Sequence, residues 1–149
     1  MKLRTQILSL VCLSALSMTG LGLAESVARA GEGKTLVAED LRTRLVDHTY
    51  FSSGGEGDNK WKSFFYFQPD GTVLAKSWGK SWRVSVKGTW EISGDLMCSK
   101  YENKDWGEGC YEYSEKGDDK LLSTGVSGTN KGKKYVVKLV GKGNVKNLE

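Results

Sequence analysis

Trp61-Lys62-Ser63-Phe64-Phe65-Tyr66-Phe67, then Gln68-Pro69-Asp70-Gly71, then Thr72-Val73-Leu74-Ala75-Lys76 is the stretch that decides the fold. Two runs rich in aromatic and apolar residues flank four residues with turn chemistry. Pro69 presets the backbone angle for the second position of a type I turn, Asp70 suits the third, and Gly71 tolerates the exit conformation. The segment reads as a β-hairpin, and the chain on either side continues in the same style. Trp82, Val84 and Val86 alternate with Arg83, Ser85 and Lys87, which gives a strand with one buried and one wet face. Gly88-Thr89-Trp90-Glu91-Ile92 extends that pattern after an expected bend at Gly88. Ser93-Gly94-Asp95 is a tight turn, and Leu96 to Tyr101, Cys110 to Tyr113, Lys120 to Thr124 and Lys133 to Val140 supply further strands. Glycine punctuates the runs, with 17 Gly and one Pro after residue 30. The fold class is therefore mainly β, an antiparallel meander of about eight strands, closing to a small lipocalin-like barrel or a sandwich rather than leaving edges exposed.

One helix precedes the strands. Val37, Ala38, Leu41 and Leu45 fall on one stripe, with Arg42, Thr43 and Arg44 away from it, so the helix is expected from about 36 to 46. Thr35 is placed to cap it, and Glu39 and Asp40 suit the positive end of its dipole. Its expected role is a lid or plug on the sheet.

Residues 1–30 read as an address. Met1, Lys2 and Arg4 form a basic head, Ile7 to Leu23 an apolar run, and Ala28-Arg29-Ala30 a small-residue cleavage pattern, with a second such site at Gly22-Leu23-Ala24. The organisation is thus a signal peptide over 1–30 and a single β domain over 31–149, periplasmic or secreted. Removing the leader takes Cys12 with it and leaves 119 residues with 19 bases and 17 acids. A net charge so near zero gives no reason to expect nucleic acid, and after Leu23 no apolar run approaches the roughly 20 residues of a membrane span.

The remaining thiols, Cys98 and Cys110, make an even count in a compartment that oxidises them. A metal pair would want soft ligands nearby, yet the only imidazole is His48. A redox pair is usually spaced C-x-x-C. A structural disulfide is expected, closing a loop worth about 3 kcal/mol in the chain-entropy account. Charge is segregated: net −6 from Glu91 to Asp119 against net +6 from Lys120 to Glu149. Neighbouring strands can pair these charges. The alternative is a basic C-terminal face (Lys131, Lys133, Lys134, Lys138, Lys142) meeting an anionic partner, which is also where any membrane contact would fall.

Reactive constellations are sparse. His48 lies beside Asp47 at the helix exit with no Gly-x-Ser-x-Gly elbow, and Gly54-Gly55-Glu56-Gly57-Asp58 lacks the Lys and hydroxyl of a phosphate loop. Glu102, Asp105, Glu108, Glu112, Asp118 and Asp119 crowd one stretch of sequence, enough for a glycosidase pair, but polar hairpin loops ordinarily carry solvated acids. Glu102 to Gly107 places Lys104 and Trp106 where a calcium loop needs oxygen ligands. No catalytic residue, metal site or cofactor is therefore assigned. The aromatic excess is more informative. Trp61, Phe65, Trp82 and Trp90 are expected to fill the core. Trp78 and Trp106, placed in glycine-flanked loops, are expected to contact a ligand or partner together with Tyr101 and Tyr111.

Asp40-Leu41-Arg42 through Thr49, Phe65 to Thr72, Gly88-Thr89-Trp90 through Asp95 and Cys98, and Cys110-Tyr111 occur in that order over roughly residues 36 to 115. This arrangement resembles a group of small secreted proteobacterial proteins with a lipocalin-like pattern. Gly88-Thr89-Trp90 is similar to the lipocalin Gly-x-Trp, which lipocalins carry on their first barrel strand and which here falls mid-chain. The resemblance implies a periplasmic β-barrel-like domain and supplies no activity and no site residue. The expectation is an exported, non-catalytic binding protein with a small apolar or amphipathic ligand held between helix and sheet. The alternative is a module that binds another secreted protein, such as a periplasmic hydrolase inhibitor, through Trp78 and Trp106.

Overall fold

The computed structural model describes residues 33–149, so the expected leader lies outside the described residues. Helix α1 (Ala38–Leu45) is followed by β1 (His48–Gly54), β2 (Trp61–Phe67), β3 (Thr72–Gly79), β4 (Arg83–Ser93), β5 (Leu96–Tyr101), β6 (Glu108–Glu115), β7 (Lys120–Gly125) and β8 (Lys134–Lys142). Each strand pairs antiparallel with the next, and β8 returns to β1 to close a barrel. His48 faces Lys142 and Ser52 faces Val137 across that seam, with a bulge between Thr49 and Tyr50. Closure satisfies the backbone groups that an open sheet would leave on its two edges.

The β2–β3 hairpin forms as its residues dictate. Gln68 N donates to Thr72 O at 2.8 Å, Gly71 N donates to Gln68 O at 3.2 Å, and the Asp70 carboxylate accepts from Thr72 N at 2.8 Å. Gly71 adopts φ +84°, a left-handed conformation that favours glycine. Both flanking strands are continuous, and β3 runs on past Lys76 to Gly79. Gly88 is where β4 passes between its neighbours, pairing with Val73 of β3 and Tyr101 of β5. A side chain at Gly88 would put its Cβ 2.4 Å from Lys100 O, so only glycine permits that approach.

Helix α1 plugs one end of the barrel. Leu41 and Leu45, with Leu36 just before them, are fully buried against Phe67, Val73, Trp90, Met97, Tyr113 and Leu121. The expected stripe is too wide at its start, since Val37 is 47% exposed. Thr35 does not cap the helix: it is drawn into a bridge with Ser114, and Leu36 N donates to Tyr113 O at 2.8 Å. The first turn instead takes its partner from across the fold, where Asp95 in the β4–β5 turn accepts from Ala38 N at 2.9 Å. At the exit, Tyr50 OH donates to Arg44 O at 2.7 Å and ties the last turn to the barrel wall.

Cys98 and Cys110 face each other directly on β5 and β6, with Cα atoms 4.0 Å apart, and are bonded as expected. On the outer wall the chain's last residues fold back, burying Leu148 against Tyr66 and Leu74 while Lys146 Nζ sits 5.4 Å from the Phe64 ring centroid. Among the described residues no helix is long and apolar enough to cross a membrane.

Two stability effects follow. Replacing both cysteines by Ser should lower the unfolding free energy by about 2–5 kcal/mol in denaturant titration, with the far-ultraviolet spectrum of the folded state retained. Leu41→Ala, which opens space beneath the helix, should cost about 2–5 kcal/mol in the same measurement.

Candidate functional site

The barrel is filled at the helix end and hollow at the other. A cavity of about 290 Å³ runs from Leu45, its floor, to the rim formed by the β1–β2, β3–β4, β5–β6 and β7–β8 loops. The reason lies in the inward positions of the strands, which recur every second residue. Going toward the rim, Tyr50 is followed by Ser52, Phe65 by Ser63, Ala75 by Ser77, Met97 by Ser99 and Leu121 by Ser123. Large side chains pack under the helix, and small hydroxyls replace them nearer the rim. All five serines are buried and line the cavity.

The polar groups of this wall are engaged with one another. Ser63 and Ser77 share a hydroxyl–hydroxyl hydrogen bond. Ser52 Oγ donates to Val136 O at 3.0 Å. Nearer the rim, Asn130 Nδ2 donates to Tyr111 OH at 2.9 Å, and Asn130 Oδ1 accepts from Tyr135 OH at 3.1 Å and from Lys133 Nζ at 3.2 Å. Burial pushes the Tyr101 and Tyr113 hydroxyls far above the ordinary phenol range and that of Tyr50 up to about 12. Among the described residues, the one charged side chain lining the cavity is that of Asp105, at the mouth. Its carboxylate makes no ion pair among the described residues.

Aromatic rings frame the opening. Trp106, carried by the β5–β6 loop, packs on Phe65 and Tyr101 with centroids 6.0 and 5.1 Å away. Trp61 stands edge-on to Tyr135 at 6.0 Å. Trp82 lies over Gly79, where an added Cβ would come within 2.3 Å of its indole nitrogen, and is 48% exposed.

Of the four contact residues expected from sequence, Trp106, Tyr101 and Tyr111 line this one cavity. Trp78 does not. Because β3 continues to Gly79, Trp78 lies in the strand one residue after the inward Ser77 and faces outside, packed on Phe64 at 5.5 Å. The expected core tryptophans also divide: Trp90 is buried and donates its indole N–H to Gln68 O at 3.0 Å, whereas Trp61 and Trp82 belong to the rim. Phe65 lines the cavity rather than filling it. The inward serines were not singled out from sequence, although their signal is there as a hydroxyl in phase with the apolar residues of five strands.

The remaining candidates sit elsewhere. His48 Nδ1 lies 2.7 Å from Val46 O at the closed end, while Asp47 accepts from Tyr66 OH at 2.9 Å, so the two neighbours serve different partners. The acids that crowd the sequence are dispersed: Glu108 pairs with Lys100 at 3.2 Å on the wall, Asp119 with Lys138 at 3.3 Å toward the closed end, and Asp105 is at the mouth. Among the described residues no three His, Cys, Asp or Glu side chains converge as a metal would require. The basic residues Lys134, Lys138 and Lys142 alternate along the outer side of β8, with Lys131 and Lys133 in the loop before it. No family model matches the sequence, and no curated protein matches it either.

The buried tyrosines set an alkaline limit. Their folded-state pKa values are raised, so the native state holds protons that the unfolded chain gives up, and stability is complete below about pH 10 and lost as pH rises toward about 12. Denaturant midpoints should be level up to about pH 9 and then fall, with phenolate absorbance of these residues appearing together with unfolding.

Proposed function

We propose that the protein is exported to the periplasm or beyond and acts by binding rather than catalysis, holding a small apolar or amphipathic ligand inside the barrel. The observation that carries this reading is the aromatic-walled cavity of about 290 Å³, open at one end and bordered by tryptophans. It stands at the lower edge of the range of about 300–1,000 Å³ common to small-molecule sites, and it has their usual make-up of apolar walls with a few polar groups. Among the described residues its lining holds neither imidazole nor thiol and only a single carboxylate, which supports a receptor rather than a hydrolase. The Cys98–Cys110 bond and the leader-like residues 1–30 support export.

The geometry favours this over the protein-inhibitor reading. That alternative needs Trp78 and Trp106 as joint anchors, but one packs on the outer wall and the other at the cavity mouth.

Ligand binding should change the tryptophan emission of the purified domain, because Trp61, Trp82 and Trp106 border the site. Trp106→Ala should weaken binding by about tenfold or more, the loss of a buried aromatic contact, and Trp78→Ala should leave it unchanged. Equal losses in the two variants, or turnover of the bound molecule, would count against the proposal.

A further inference from the structure

Building on the cavity as the binding site, we infer that its ligand is an uncharged mono- or bicyclic aromatic molecule bearing one hydrogen-bonding polar group, of the size and chemistry of indole or a substituted phenol.

Size comes first. A dry cavity of about 150 Å³ is enough to hold benzene. Twice that volume, about 290 Å³ here, accommodates a bicyclic ring and is too small to enclose a long acyl chain or a retinoid. The floor of Leu45, Phe67 and Met97 and the wall of Phe65 offer a flat ring stacking and dispersion contacts on every side.

Charge comes second. Among the described residues no cationic side chain lines the cavity, and Lys133 touches Asn130 without itself lining it, so an anion would be stripped of water with no opposite charge to compensate it and would meet Asp105 on the way in. A cation could use Asp105 and the rim tryptophans only by staying at the mouth, which leaves the apolar floor unfilled.

The polar group comes third, from counting hydroxyl protons. Tyr50 gives its proton to Arg44 O, Ser52 to Val136 O and Tyr135 to Asn130 Oδ1, while one of Ser63 and Ser77 gives its proton to the other. The second proton of that serine pair remains, and each hydroxyl oxygen carries two acceptor lone pairs, so the wall has both a donor and acceptors left to offer. One polar group on the ligand ring answers them.

Calorimetric titration of the disulfide-bonded chain with indole, indene, indole-3-acetate, tryptamine and palmitate tests this. Indole should bind, indene, its isostere with no polar atom, should bind up to about tenfold more weakly, the worth of one neutral hydrogen bond, and the two charged indoles weaker still. Palmitate should not bind. Ser77→Leu and, independently, Ser99→Leu should fill the cavity and abolish indole binding while the circular dichroism and cooperative melting of a folded barrel persist. Indene or a charged indole binding as tightly as indole, or palmitate binding in its place, would overturn the inferred class while leaving the cavity as a ligand site. Failure of every probe, with both serine variants melting at the wild-type temperature, would overturn the binding reading itself.

Discussion

The return of β8 to β1 is the constraint on which the rest of the structure depends. Once His48 to Ser52 pair with Val137 to Lys142, every strand has two neighbours, the twist of the sheet is fixed, and side chains divide into those that face the lumen and those that face solvent. The helix then has one place to bury its leucines, the end of the barrel where the β2–β3 and β4–β5 turns lie. Asp95 and Tyr50 hold its two ends from the barrel side. A covalent bond between β5 and β6 locks one pairing of the same ladder and draws together the base of the loop that presents Trp106.

Lumen and outer wall are built from the same residue types to opposite effect. Inside, aromatic rings stand beside small hydroxyls, and the mismatch in volume leaves space that packing cannot close. Outside, Phe51, Phe64 and Trp78 stack on one another, and the end of the chain covers part of the adjoining wall with Leu148. Charge is likewise kept out of the lumen: the acidic and basic stretches meet on the surface, as Asp119 and Lys138 do, and such exposed pairs add well under about 1 kcal/mol each. Tyrosine hydroxyls are neutral at physiological pH in any setting, and burial raises those of Tyr101 and Tyr113 further, so this part of the wall is a set of dipoles.

Much of the scaffold was legible because it is encoded in neighbours along the chain. Pro69, Asp70 and Gly71 specify their turn locally, alternation from Val84 to Ile92 specifies a half-buried strand, and Cys98 and Cys110, the two cysteines after residue 30, have only each other there. Errors arose where a property belongs to strand parity or to a distant partner. Trp78 looked like a loop residue because Gly79 follows it, but the ladder with β4 extends to Trp78 opposite Arg83, and that one extra stretch of pairing turns its ring outward. Trp82 looked like the start of a buried face, yet it precedes its strand and rests on Gly79. Thr35 had the chemistry of a cap but is held in an extended bridge to Ser114.

Composition and local pattern by themselves determined an antiparallel β domain of about eight strands with one helix and one bridge, because turn chemistry, periodicity and cysteine number are properties of short segments. Tertiary structure alone decided that the sheet closes as a barrel and not as a sandwich, which end the helix fills, and that Tyr101, Trp106 and Tyr111 border one hollow with five serines. Those facts depend on which residues of separate strands stand at the same height in the barrel, and register between strands is set by long-range pairing that no single segment carries.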